Sequence, residues 1–98
     1  MSVSIDPEGV ETRVIHELVD FYGKSVLEVG CGDGRLTWRY AAVAGRVLAL
    51  DPDEEEIARA IEDTPQALRS KVRFAVADIR QAELPEDGFD VAILSYSL

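Results

Sequence analysis

The ten residues from Val26 to Arg35, VLEVGCGDGR, pass from a short apolar run into a loop with glycine at every second position: Gly30, Gly32 and Gly34. The apolar run, beginning at Ser25 and ended by a glycine, reads as a buried strand. Alternating glycines allow positive φ and bring backbone close to a neighbour, because no side chain intervenes. A helix placed after such a loop offers free N–H groups and a positive dipole end. The same loop also serves as a plain tight turn from strand to helix, so on its own it does not assign a ligand.

Working outward, three further runs read as strands: RVLALD (46–51), KVRFAVAD (71–78) and FDVAILS (89–95). Between them lie helical patterns. RLTWRYAAVA (35–44) is rich in apolar side chains and is closed by Gly45. Asp53 with Glu56 resembles a capping box, and it starts a helix bearing Ile57, Ala60 and Ile61. Thr64 and Pro65 suit a further short helical turn, and IRQAELPEDG (79–88) reads as a loop or short helix. Ahead of the first strand, residues 7–22 place Val10, Val14, Leu18 and Tyr22 on one helical face, with Asp6 as N-cap and Gly23 as the stop. Strand and helix alternate throughout, which specifies an α/β fold with a parallel sheet and right-handed crossovers.

The 98 residues favour a single domain, and no apolar run approaches the roughly 20 residues of a membrane span. The start MSVSIDPEG lacks a basic and apolar secretory signal, and the single cysteine, Cys31, permits neither an internal disulfide nor a cysteine-based metal site. These features point to the cytoplasm and away from the membrane. A net charge of −9 repels phosphate backbones and argues against nucleic acid as a direct partner.

Asp51 falls at the tip of the second strand, 21 residues beyond Gly30. A carboxylate there can accept hydrogen bonds from both hydroxyls of a ribose, although it also suits a helix cap ahead of Pro52. A dinucleotide loop requires G-x-G-x-x-G, whereas here the last glycine comes one residue early and Arg35 takes the expected place. That spacing disfavours a nicotinamide-linked oxidoreductase. Glu28, two residues ahead of the loop, suits a cationic amino-acid ligand better than a diphosphate. It also suits a strand-end carboxylate tied to backbone N–H groups.

EVGCGDG, then LALDPD, then ADI, then LPEDGFDVAILS, in that order and spacing, resembles the class I S-adenosylmethionine-dependent methyltransferases, in particular the small-molecule branch with a methyltransferase-11-type domain. The likeness runs from Val26 to Leu98. It implies a three-layer Rossmann-like parallel sheet of strand order 3-2-1-4, and one cofactor-binding domain over residues 1–98. It also implies S-adenosylmethionine as cofactor and S-adenosylhomocysteine as product, with a small molecule as methyl acceptor. By the resemblance, Gly30, Cys31 and Gly32 line the methionine part of the cofactor, Gly34 belongs to the same cofactor-binding loop, and Glu28 orients the loop or, through water, the amino group. Asp51 holds the ribose, Pro52 packs on the adenine, Asp78 accepts from the adenine amino group, and the Ile79 backbone lies beside the ring. Ser95 and Tyr96 sit at the mouth of the site.

The family's sheet continues beyond a fourth strand, so the domain is expected to be truncated there, as a cofactor-binding half without its acceptor side. No catalytic residue is assigned. The fourth strand would then be an apolar edge, and Phe89–Leu94 is expected to pair with a second copy as a dimer. The alternative function is a non-catalytic module for cofactor binding or assembly. His16 has no H-E-x-x-H partner and reads as surface or packing, and Trp38 and Tyr40 read as core or partial cover.

Overall fold

The computed structural model of the chain describes residues 2–4, 19–78 and 88–95. Its strands are β1 (Ser2–Ser4), β2 (Ser25–Val29), β3 (Arg46–Asp51), β4 (Val72–Val76) and β5 (Val91–Leu94). They form one sheet in the order β1-β5-β2-β3-β4, with every pairing parallel. The four strands read from the sequence are β2 to β5, and they take the expected order 3-2-1-4.

β1 is an addition. Ser2, Val3 and Ser4 pair with Ala92, Ile93 and Leu94, so β5 is an interior strand with β2 on one side and β1 on the other. The expectation that Phe89–Leu94 is a free edge open to a second copy is therefore corrected: its outer hydrogen-bonding side is taken by the chain's own N-terminal residues. Three residues are too few to carry a periodicity, so no pattern in the sequence marks this strand.

Side chains alternate across the sheet. On one face Val26, Val47, Ala49, Val72, Val91 and Ile93 pack with Ile57, Leu36, Tyr40, Ala41 and Ala44. On the other, Leu27, Val29 and Leu50 are buried beside Leu48, Phe89, Ala92 and Leu94. Both faces thus carry a buried cluster, as a three-layer arrangement requires. Helix α1 (Glu54–Asp63) covers the first face through Ile57 and Ala60. Asp53 caps it as expected, its Oδ1 accepting from the N–H groups of Glu55 at 2.9 Å and Glu56 at 3.2 Å. Ile61, expected on the buried face, is 53% exposed. A 3-10 turn at Gln66–Leu68 follows Pro65.

The segment 35–44 departs from the expected helix. It is a run of turns around a 3-10 turn at Thr37–Arg39. Its backbone bonds mix two spans, Arg39 N–H to Leu36 and Ala41 N–H to Thr37 among them. In a 3-10 turn, side chains three residues apart eclipse one another. Here that stacks Thr37 and Tyr40 over the same partner, described below. Residues 7–18 of the expected first helix, its expected cap Asp6 and the stretch 79–87 lie outside the described residues, and His16 with them. The helix's expected last turn, 19–22, is not helical: Tyr22 is 79% exposed and Phe21 is buried instead, its ring stacked on Tyr40 at 4.5 Å.

Candidate functional site

The glycine loop sits where β2 and β3 end, at the carboxyl edge of the parallel sheet, where open α/β sheets hold ligands. Gly30, Gly32 and Gly34 all adopt positive φ, at 86°, 56° and 92°. The loop is fastened from β3. The Leu50 carbonyl accepts from the N–H groups of Gly30 at 2.7 Å and Cys31 at 3.1 Å. Asp51 Oδ2 accepts from the Gly32 N–H at 2.9 Å, while its Oδ1 accepts from the Asp53 N–H at 2.9 Å. Asp51 is therefore a clamp on the loop, and the helix cap is Asp53. A Cβ on Gly32 would meet nothing within 4 Å, whereas one on Gly34 would stand 2.8 Å from Trp38 Cζ2. Gly32 leaves open space, and Gly34 admits an indole.

Below the loop, Glu28 is fully buried. Its place in the β2 alternation puts it on the face of Val26, toward the 3-10 turn. Oε1 accepts from Thr37 Oγ1 at 2.8 Å and from Tyr40 Oη at 2.6 Å, and Oε2 accepts from Ser95 Oγ at 2.7 Å. Its partners are three hydroxyls, not the backbone N–H groups of the second sequence reading. Burial pushes the Glu28 carboxyl above its ordinary value, against the pull of those hydroxyls and with the added repulsion of Asp51. Burial first, then Glu28, likewise holds the Tyr40 hydroxyl well above its usual range. The Cys31 thiol is pushed up mainly by burial, so it stays protonated and serves as a small neutral wall.

A cavity of about 390 Å³ opens above this floor, within the usual range for small-molecule sites. Of the residues singled out from the sequence, Glu28, Gly30, Cys31, Gly32, Asp51, Pro52, Asp78 and Ser95 line it. Gly34, close against Trp38, is not among the lining residues, and Ile79 and Tyr96 are outside the described residues. Thr37 is not among the residues singled out from the sequence, and Tyr40 reads there as core or partial cover. The signal available was their spacing of three, with a hydroxyl at both positions. The lining is strongly acidic, with Asp33, Asp51, Asp53, Glu56 and Asp78 against Arg35. Ionised carboxylates only accept hydrogen bonds. The cavity therefore fits a ligand that is cationic and rich in hydroxyl and amino donors, as S-adenosylmethionine is, and opposes a diphosphate.

A methyltransferase domain family matches residues 26–98. The chain belongs to this family. Among its relatives, an uncharacterized methyltransferase of Mycobacterium tuberculosis is 35% identical over 85 residues, covering 87% of this chain and 42% of that protein. A ribosomal RNA N(6)-adenosine-methyltransferase of Caenorhabditis elegans is 30% identical over 88 residues, 85% of this chain and 41% of its own. Among solved structures, an S-adenosylmethionine-dependent methyltransferase from Mesorhizobium loti superposes with a TM-score of 0.69 at 28% identity, covering 90% of this chain and 40% of that one. A phosphoethanolamine N-methyltransferase from Haemonchus contortus, held with phosphoethanolamine and S-adenosylhomocysteine, gives 0.69 at 25% identity, covering 83% of this chain and 17% of that one. The methyltransferase domain described here thus spans less than half of each of these proteins. The Mesorhizobium loti protein is named for S-adenosylmethionine, a ligand of the cationic, donor-rich kind that this acidic cavity fits. Net charge does not set nucleic acid aside for the family, since one of these relatives is named for an RNA reaction. Among the described residues no helix is long and apolar enough to cross a membrane.

Proposed function

We propose that this domain is the cofactor-binding half of a methyltransferase that passes the methyl group of S-adenosylmethionine to a small-molecule acceptor. The observation that carries the reading is the cavity at the strand ends, where the open backbone at Gly32 and the Asp51 carboxylate are fastened together. Asp51, with lone pairs left after its two backbone bonds, receives the ribose hydroxyls. Asp78 and the Ile79 backbone take the adenine beside Pro52. Gly30, Cys31 and Gly32 face the methionine part, and Ser95, expected at the mouth, is instead buried against Glu28 in the floor. Glu28 acts from below by fixing the loop's base.

When bound, the cofactor supplies a methyl group on a sulfonium leaving group. The chain's task is to hold that group in line with an acceptor and to exclude water, and such positioning supplies much of the acceleration. The small-molecule acceptor is favoured by the net charge of −9 and by the acidic rim. An RNA acceptor is the second reading, prompted by the worm relative. Calorimetric titration with S-adenosylmethionine, S-adenosylhomocysteine and NAD tests the cofactor. Both sulfur ligands should bind more tightly than NAD, and equal or stronger NAD binding overturns the reading. Fluorescence anisotropy with a labelled RNA hairpin at physiological salt tests the acceptor class. Submicromolar binding there, tighter than non-specific contact gives, moves the acceptor to RNA.

A further inference from the structure

Resting on the cofactor reading above, we infer that Arg35 is the specificity-determining residue for the carboxylate of the cofactor's methionine moiety. Five ionisable acids line the cavity at Asp33, Asp51, Asp53, Glu56 and Asp78, and a sixth, Glu28, lies in its floor. Among the described lining residues Arg35 alone brings positive charge. The ligand carries a sulfonium, an ammonium and hydroxyl donors, all of which the acids accommodate, and one carboxylate, which they repel.

The geometry holds Arg35 ready for that group. Its backbone N–H donates to Asp33 Oδ1 at 3.3 Å, which fixes the residue at the loop's exit. Its Nε donates to the same oxygen at 3.4 Å. A guanidinium carries five N–H donors in a fixed fork. The contact with Asp33 is made through Nε, so the four N–H donors of the two terminal amino groups take no part in it. The side chain is 81% exposed, so it moves onto a ligand without disturbing the core. Glycine at position 34 sets the turn that delivers it, since φ there is 92°.

The test compares S-adenosylmethionine with its decarboxylated analogue, which keeps the sulfonium, ammonium and nucleoside and lacks only the carboxylate. Both are titrated calorimetrically into the wild-type chain, Arg35→Gln and Arg35→Lys, with circular dichroism to check that each variant folds. In Arg35→Gln, the preference for the carboxylated ligand over the decarboxylated one should fall by roughly tenfold, the worth of one charge-assisted pair. Arg35→Lys should keep part of it. An unchanged ratio in Arg35→Gln overturns the assignment and leaves the cofactor reading intact. Failure of both ligands to bind the wild-type chain overturns the cofactor reading, and this inference with it.

Discussion

Ser95 and Glu28, 67 residues apart in the chain, are joined by a 2.7 Å hydrogen bond from the serine hydroxyl to the buried carboxylate. The same serine oxygen stands 3.2 Å from the Gly30 carbonyl, and its N–H donates to the Val29 carbonyl at 2.8 Å. The end of β5 is thereby fastened to the end of β2 and to the first residue of the glycine loop. Thr37 and Tyr40 fasten the other side of Glu28. One carboxylate thus ties together β2, β5 and the segment after the loop.

Burying that carboxyl gives stability a pH dependence. Below its ordinary pKa of 4.5 Glu28 is protonated in folded and unfolded chains alike, and its contribution is fully present. As pH rises toward the raised folded value, the unfolded chain ionises first, and stability is lost by up to about 1.4 kcal/mol per pH unit. Glu28→Gln lacks this loss. Urea melts of both proteins at about pH 4 and about pH 8 should show the difference moving in favour of glutamine at the higher pH. The other acids cancel in that difference, and a constant gap refutes a raised Glu28.

Gly34→Ala should cost at least about 2 kcal/mol, combining strained backbone with overpacking. The φ of 92° is unfavourable for alanine, and its methyl would stand 2.8 Å from the Trp38 ring. Adding Trp38→Leu should recover only the steric part. Thermal melts of the single and double variants separate the two contributions, and full recovery would mean that backbone strain is negligible.

Asp51→Ala should lose twice over. Two backbone N–H groups, of Gly32 and Asp53, lose their acceptor, at a cost of about 1–3 kcal/mol in stability. Cofactor affinity should fall by roughly tenfold to a hundredfold, as ribose contacts and loop geometry go together. The chain should still fold, because Asp51 sits at a strand tip. Calorimetry and melting on the same samples check both, and unchanged affinity would leave Asp51 as a loop clamp alone.

Deleting residues 1–4 should make the chain self-associate more strongly. Removal of β1 leaves the outer N–H and C=O groups of Val91–Leu94 without a strand, and an apolar strand with a bare edge pairs with another. Light scattering over a concentration series should show stronger association in the shortened chain than in the full one. A shortened chain that associates no more strongly would show that β1 does not guard this edge.

The sheet was legible because β2 to β5 are apolar runs of four to six residues, each bounded by turn or capping residues. The loop and Asp51 were legible because glycine spacing and a strand-tip acid are local signals. What escaped depends on contacts across the chain. The 3-10 winding of 37–39 follows from Thr37 and Tyr40 meeting Glu28, a partner nine and twelve residues away. Periodicity sees only that the segment is apolar. The identity of Glu28's partners escaped for the same reason, since one of them arrives from β5.

The pairing of β1 with β5 also sets an order of events during synthesis. β2, β3 and β4 follow one another along the chain and can zip up as each leaves the ribosome. β1 is made before all of them, yet it has no seat until β5 has been translated and has docked on β2. Because loop-closure entropy grows only with the logarithm of the span, the long wait costs little in equilibrium stability. Its cost is in time, since contacts between distant segments slow folding. Until then a short strand-forming segment trails unpaired, and the nascent domain has its glycine loop built before its floor, because Ser95 reaches Glu28 only with the arrival of β5.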